Sequence, residues 1–153
     1  MNPNNTDVKG VDTGGLCGNV ACQGYKPPPS LFLGTESGAL VYAPELLIDK
    51  RKGGGLSLGR QVLVADFNGD QTLDFYIADN GVGTHNGHQD SYYLSQANGT
   101  WLESSHTKLS QKGFKAFNHG AATGDIDNDG DMDVVYTELA PQKYGTAFWC
   151  LLN

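Results

Sequence analysis

The chain has 153 residues and a formal net charge of −7, which argues against nucleic acid or an anionic membrane surface as a partner. Apolar residues make up 39% and charged residues 18%, a balance typical of a globular domain and not of a disordered chain. The sequence contains no run of 18 apolar residues, so no membrane-spanning helix is predicted. Its 21 glycines, with little helical periodicity, favour an all-β fold with few or no helices.

The first 29 residues are rich in Asn, Gly and Pro and end in three consecutive prolines. This composition predicts an extended arm or linker. Cys17 and Cys22 enclose four residues, and we expect a disulfide between them in an oxidising compartment. Cys150 lies in an apolar run near the other end of the chain and is predicted to be a buried free thiol.

Two β-hairpins are predicted from short apolar runs that flank a glycine turn. The first joins residues 31–33 to residues 40–42 through Gly38. The second joins residues 92–94 to residues 100–102 through the pair Asn98-Gly99, a strong short hairpin signal. We expect the aromatic residues of the strands to pack in the core or between blades rather than to bind sugars. These residues are Phe32, Tyr92, Tyr93, Trp101, Phe148 and Trp149.

Two acidic loops each lie between β-rich runs: the first acidic loop is residues 66–74 and the second acidic loop is residues 125–133. Carboxylates packed this closely repel one another unless a cation lies among them. Hard oxygen ligands without His or Cys favour Ca²⁺. A glycine at position 6 of the second loop, Gly130, allows the sharp bend that such a loop needs.

The loops belong to an internal repeat. Asp66 aligns with Asp125 at an offset of 59, and residues 30–33 align with residues 91–94 at an offset of 61. Each unit consists of a strand, an acidic loop, a strand, a long loop, a strand, a glycine turn and a strand. The pattern predicts antiparallel four-stranded propeller-type blades. About two and a half blades are expected: a partial blade at 30–57, a full blade at 58–117 and a partial blade at 118–153.

The motif Asp125-x-Asp127-x-Asp129-Gly130-x-x-Asp133 and its weaker copy in the first acidic loop resemble the FG-GAP or VCBS repeat of integrin-α-like β-propellers. The resemblance covers roughly residues 30–153. It implies one Ca²⁺ in each loop, held by side chains at positions 1, 3, 5 and 9 and by the backbone carbonyl at position 7. The implied ligands are Asp66, Asn68, Asp70, Thr72 (carbonyl) and Asp74 in the first loop, and Asp125, Asp127, Asp129, Asp131 (carbonyl) and Asp133 in the second.

The first acidic loop departs from this pattern at two positions. It has the neutral Asn68 at position 3 and Gln71 at position 6, so its site is predicted to bind calcium more weakly than the second. An EF-hand is excluded because position 12 of each loop, Ile77 or Tyr136, is apolar and lies in a strand-like run.

Catalytic motifs are weak. The pattern Gly-x-Ser-x-Gly around Ser57 lacks the strand and helix of a nucleophile elbow, so a chance match is favoured. His85 and His88, with Asp90 close by, have no helix to present both rings to a transition metal, and a solvent-exposed loop is favoured there.

The sequence therefore predicts a non-enzymatic, calcium-stabilised structural or adhesive module of an extracellular or cell-surface protein. Its expected partners are calcium ions and other blades or copies of itself, with glycans or surface proteins as further candidates. The incomplete blades indicate either a piece of a larger protein or copies that complete one another. In the second case we expect the N-terminal arm and hairpin of one subunit to pair with the C-terminal strand of the next, in a ring or a filament. Two alternatives stay open: a propeller fragment that binds a carbohydrate or protein ligand, and the propeller part of a secreted hydrolase.

Overall fold

The computed structural model describes residues 29–51, 55–56, 58–80, 89–108, 118–139 and 146–152. Several predictions lie outside these residues: the N-terminal arm, the Cys17–Cys22 disulfide, Ser57, and the two histidines at 85 and 88.

The described residues confirm the all-β prediction. They form ten strands, a 3-10 turn at Pro44–Leu46 and one short helix, α1, at Ser105–Lys108. The strands are β1 Phe32–Gly34, β2 Leu40–Tyr42, β3 Leu47–Ile48, β4 Gly59–Ala65, β5 Asp74–Asp79, β6 Ser91–Ser95, β7 Trp101–Glu103, β8 Asn118–Gly124, β9 Asp133–Leu139 and β10 Thr146–Leu151.

The described strands form three sheets. The N-terminal hairpin pairs β1 with β2, the central sheet has the order β3-β7-β6-β5-β4, and the C-terminal sheet has the order β10-β9-β8. Strands β4 to β7 are antiparallel neighbours in chain order, as predicted for one complete blade. Both predicted hairpins are present, β1–β2 and β6–β7.

The central sheet differs from the four-stranded prediction because a fifth strand, β3, pairs with β7 in parallel. This strand comes from the segment predicted to belong to the preceding partial blade. Partly buried ion pairs fix the segment that follows β3: the Arg51 guanidinium lies 2.7 Å from Asp49 and 3.3 Å from Glu103 at the end of β7. Arg51 also donates a hydrogen bond to Ser91 Oγ in β6, at 3.0 Å.

The repeat extends to the register of individual residues. The residue pairs of β4 and β5 recur in β8 and β9 with every residue number raised by 59. Even the bulge is repeated, before Gln61 in the first pair of strands and before Gly120 in the second. Strands β1 and β2 pair as β6 and β7 do at an offset of 61. The N-terminal hairpin therefore corresponds to the third and fourth strands of a unit, and the C-terminal sheet to the first three.

The core lies between the central and C-terminal sheets, which pack face to face as neighbouring blades. We call the side of the central sheet that carries Leu63, Tyr76 and Tyr92 its front face. The side of the C-terminal sheet that meets it, carrying Val134 and Tyr136, is the back face of that sheet. The other members of this inter-sheet cluster are Ala65, Phe67, Ala78 and Leu94, with Ala121 and Leu151 packed against them.

Burial of the strand aromatics and of Cys150 was only partly predicted. Tyr92 and Tyr93 are buried and Trp101 is half-buried. The packing predicted for three others is wrong, since Phe32, Phe148 and Trp149 are exposed. Cys150 is a free thiol among the described residues but is exposed, not buried. Phe148 and Cys150, which lie on one face of β10, are thus both exposed in the described part of the chain.

Candidate metal centres

Both acidic loops occupy the same place in the repeat. The first connects β4 to β5 and the second connects β8 to β9. Position 9 of each loop is the first residue of the following strand, paired across the ladder with the last residue of the preceding one. Because the two strand ends are adjacent, positions 1 and 9 lie at the base of the loop. The position 9 side chains, Asp74 and Asp133, are both buried.

The two loops share one backbone conformation despite different sequences. Positions 4 and 6 have positive φ in both: Gly69 at 75° and Gln71 at 66° in the first loop, Asn128 at 60° and Gly130 at 100° in the second. In each loop the position 1 carboxylate accepts the N–H of position 6, at 2.7 Å for Asp66 and 3.1 Å for its counterpart. Gln71 thus holds a left-handed conformation that glycine adopts at lower cost.

Substitutions at position 6 of the two loops should change the free energy of unfolding in opposite directions. We expect Gln71→Gly to raise the free energy of unfolding by about 0.5–1 kcal/mol and Gly130→Ala to lower it by about 1 kcal/mol. An added Cβ at Gly130 would meet no atom within 4 Å, so the effect comes from φ rather than from a clash. Urea unfolding of both variants measures the two changes. If both substitutions raised or both lowered the free energy of unfolding, the positive φ at position 6 would not be the cause.

The carboxylates of the first loop are largely occupied by the chain itself. Asp66 accepts backbone N–H groups from Gly69 at 2.8 Å and from Asp70 at 3.2 Å, in addition to that of position 6. Asn68 Nδ2 donates to Asp70 Oδ2 at 3.0 Å. That hydrogen bond, with a further one from the Thr72 N–H at 2.8 Å, lowers the pKa of Asp70.

Position 9 of the first loop is braced from the neighbouring strands. Asp74 accepts the N–H of Phe67 at 2.9 Å and the N–H of Ser95, the last residue of β6, at 2.7 Å. The Trp101 indole N–H donates to the Leu73 carbonyl at 2.7 Å. The contacts from Ser95 and Trp101 come from the third and fourth strands of the same unit and join residues more than 20 positions apart, so no local sequence pattern predicts them.

Three carboxylates of the second loop lie close together. Ligand oxygens of Asp125, Asp127 and Asp133 all lie within 4.8 Å of one another, the one such group of three found among the described residues. Desolvation, with repulsion from Asp129 and Asp133, raises the pKa of Asp127. The structure therefore brings together the carboxylates at positions 1, 3 and 9, where a cation would relieve their repulsion.

The other two predicted positions of the second loop lie beside this group. Asp129 donates its N–H to Asp125 Oδ1 at 3.1 Å, and its own Oδ1 accepts the N–H of Asp131 at 3.0 Å. Asp133 Oδ2 accepts the N–H of Ile126 at 2.9 Å, as Asp74 does from position 2 of its own loop. Both loops are thus held by the same first and last carboxylates, and they differ at position 3.

A buried polar cluster between the two sheets was also missed. Asp90, predicted to lie in an exposed loop, is 6% exposed and accepts hydrogen bonds from the Tyr76 hydroxyl in β5, the Asn118 amide in β8 and, at 2.7 Å, the Asp79 N–H. Burial raises the pKa of Asp90 to about 6, although the three hydrogen bonds oppose that shift. This side chain joins the central sheet to the C-terminal sheet.

Residues 66–136 match a family model described as the FG-GAP-like repeat. This part of the chain is similar to an FG-GAP-like repeat. The matched residues contain both acidic loops and the complete set of implied ligands. No curated protein and no solved structure gives a significant match to the chain. Of the helices that the described residues form, none is long and apolar enough to cross a membrane.

Proposed function

We propose that the protein is a calcium-stabilised structural or adhesive module, of the β-propeller repeat type, in an extracellular or cell-surface protein. The observation that carries the proposal is the convergence of three carboxylates in the second acidic loop of an FG-GAP-like repeat. Ca²⁺ suits this oxygen-only donor set, which offers no nitrogen or sulfur ligand.

The chain's own residues account for how an ion would stabilise the blade. Asp125 and Asp133 flank the adjacent ends of β8 and β9, so a cation held between them would fix the angle between the two strands. Asp127 projects from the loop into the same group. Because the folded chain presents these oxygens together and an unfolded chain does not, the free energy of metal binding adds to the free energy of folding.

The two loops should bind calcium unequally. In the first loop Asn68 replaces a carboxylate at position 3 and hydrogen-bonds to Asp70. Bringing an ion there would require this hydrogen bond to break, and the loop would offer one negative charge less. Hydrogen bonds hold both loops, but only the second brings three carboxylates together, so an ion should stabilise the second loop more than the first.

A reciprocal pair of variants tests the calcium sites. Asp127→Asn gives the second loop the position 3 residue of the first, and we expect about a tenfold weaker Kd, since affinity follows the ligand charge. Asn68→Asp should tighten the first site by a similar factor. Isothermal titration of chelator-treated protein measures both. No calcium heat, with a melting temperature that calcium leaves unchanged, would refute calcium binding.

A further inference from the structure

The contact between the two blades of this chain provides a template for a contact between copies. The front face of the central sheet is covered by the back face of the C-terminal sheet. Each sheet also has an opposite face. In the described residues these two opposite faces, the back of the central sheet and the front of the C-terminal sheet, are only partly covered.

The back face of the central sheet carries the repeat equivalents of residues that are already in an interface. Ala121 and Val134 pack into the inter-blade core, and at the constant offset of 59 they correspond to Val62 and Phe75. Val62 is 56% exposed and Phe75 is half-buried. Val62 is thus open where its equivalent Ala121 is packed, whereas Ile77 on the same face is buried.

The front face of the C-terminal sheet is open in the same way. Cys150 is the repeat equivalent of Tyr92. Tyr92 pairs with Tyr76 in the central sheet, and Cys150 pairs with Val135 in the C-terminal sheet. Cys150 is exposed, whereas Tyr92 is buried. Phe148, two residues before Cys150 in the same strand and therefore on the same face, is 75% exposed.

We infer that the front face of the C-terminal sheet of one copy packs on the back face of the central sheet of a second copy, repeating between chains the contact seen within the chain. The contact is heterologous and head-to-tail, so it forms a ring if the rotation closes and a filament if it does not. It extends the structural role proposed above, and the residues that carry it, Val62, Phe75 and Phe148, are not among the predicted calcium ligands. It also differs from the strand pairing expected from the sequence, because it joins sheet faces and not strand edges.

Two exposed positions separate the two faces experimentally. Val62→Lys blocks the back face of the central sheet and leaves the other face intact, and Phe148→Lys does the reverse. Both side chains are more than half exposed, so neither change removes a core residue. Leu40→Lys on the N-terminal hairpin, where the side chain is 71% exposed, is the matched control.

Sedimentation velocity across a concentration series is the readout, with circular dichroism as the check that each variant is folded. We expect the wild type and the Leu40→Lys variant to form species larger than a dimer. Each face variant alone should be a monomer. An equimolar mixture of the two should give a dimer and nothing larger, because each variant retains the face that the other lacks.

Three results would overturn this contact: a monomeric wild type at the highest concentration, a mixture of face variants that stays monomeric, or loss of assembly in the Leu40→Lys variant. The series is repeated in excess calcium and in chelator. Assembly without calcium heat would refute the metal sites and leave the contact standing. Calcium heat with a monomeric wild type would refute the contact and leave the metal sites standing.

Discussion

Phe67→Ala is expected to lower the free energy of unfolding by about 3–5 kcal/mol, the range measured when a large aromatic side chain is deleted from a core. Phe67 is position 2 of the first acidic loop, yet it is fully buried and its ring centroid lies 5.3 Å from that of Tyr92. Its backbone N–H also donates to Asp74. The loop is therefore attached to the core through this side chain, and a small domain has little stability to spare.

The second acidic loop supplies the control. Ile126 occupies the same position but is 46% exposed, so Ile126→Ala should cost less than about 1 kcal/mol. Urea unfolding at saturating calcium measures both variants. A similar loss at the two positions would show that the first loop is not anchored to the core through Phe67.

The contrast between these two residues shows how far the sequence could predict the site. The spacing of the carboxylates identified both loops, and the offsets of 59 and 61 identified the strands around them. Both position 2 residues are apolar, so nothing local separates them. Burial of one and exposure of the other follow from which strands pack above each loop, and that depends on contacts between distant parts of the chain.

The same distinction explains the errors in the predicted fold. The hairpins were predicted because Gly38 and Gly99 mark their turns, and both have positive φ of about 80°. Strand β3 is two residues long, too short to show periodicity, and it forms because Leu47 pairs with Trp101 far along the chain. Apolar composition indicated that Phe148 and Cys150 suit burial, but composition cannot specify what covers them.

Between about pH 4 and pH 7 the wild-type protein is expected to lose stability relative to the Asp90→Asn variant, by on the order of 3 kcal/mol. Burial raises the pKa of Asp90 from an ordinary value of 3.8 to about 6. The folded chain therefore binds this proton more tightly than the unfolded chain. The stabilisation is complete below pH 3.8 and is lost as the pH rises through 6, where a charge must form in the buried joint between the two sheets.

The groups that face Asp90 determine how large this effect is. Tyr76 and Asn118 donate to its carboxylate and favour the charged form, whereas the nearby charge of Asp79 opposes it. Tyr136 of β9 also faces this carboxylate. The free energy of unfolding is measured at saturating calcium from pH 4 to pH 7 for both proteins. Since both carry the same acidic loops, the titration of the loop carboxylates cancels in the difference. A difference that does not change with pH would show that Asp90 ionises at its ordinary pKa. The joint between the sheets would then be equally stable across this range.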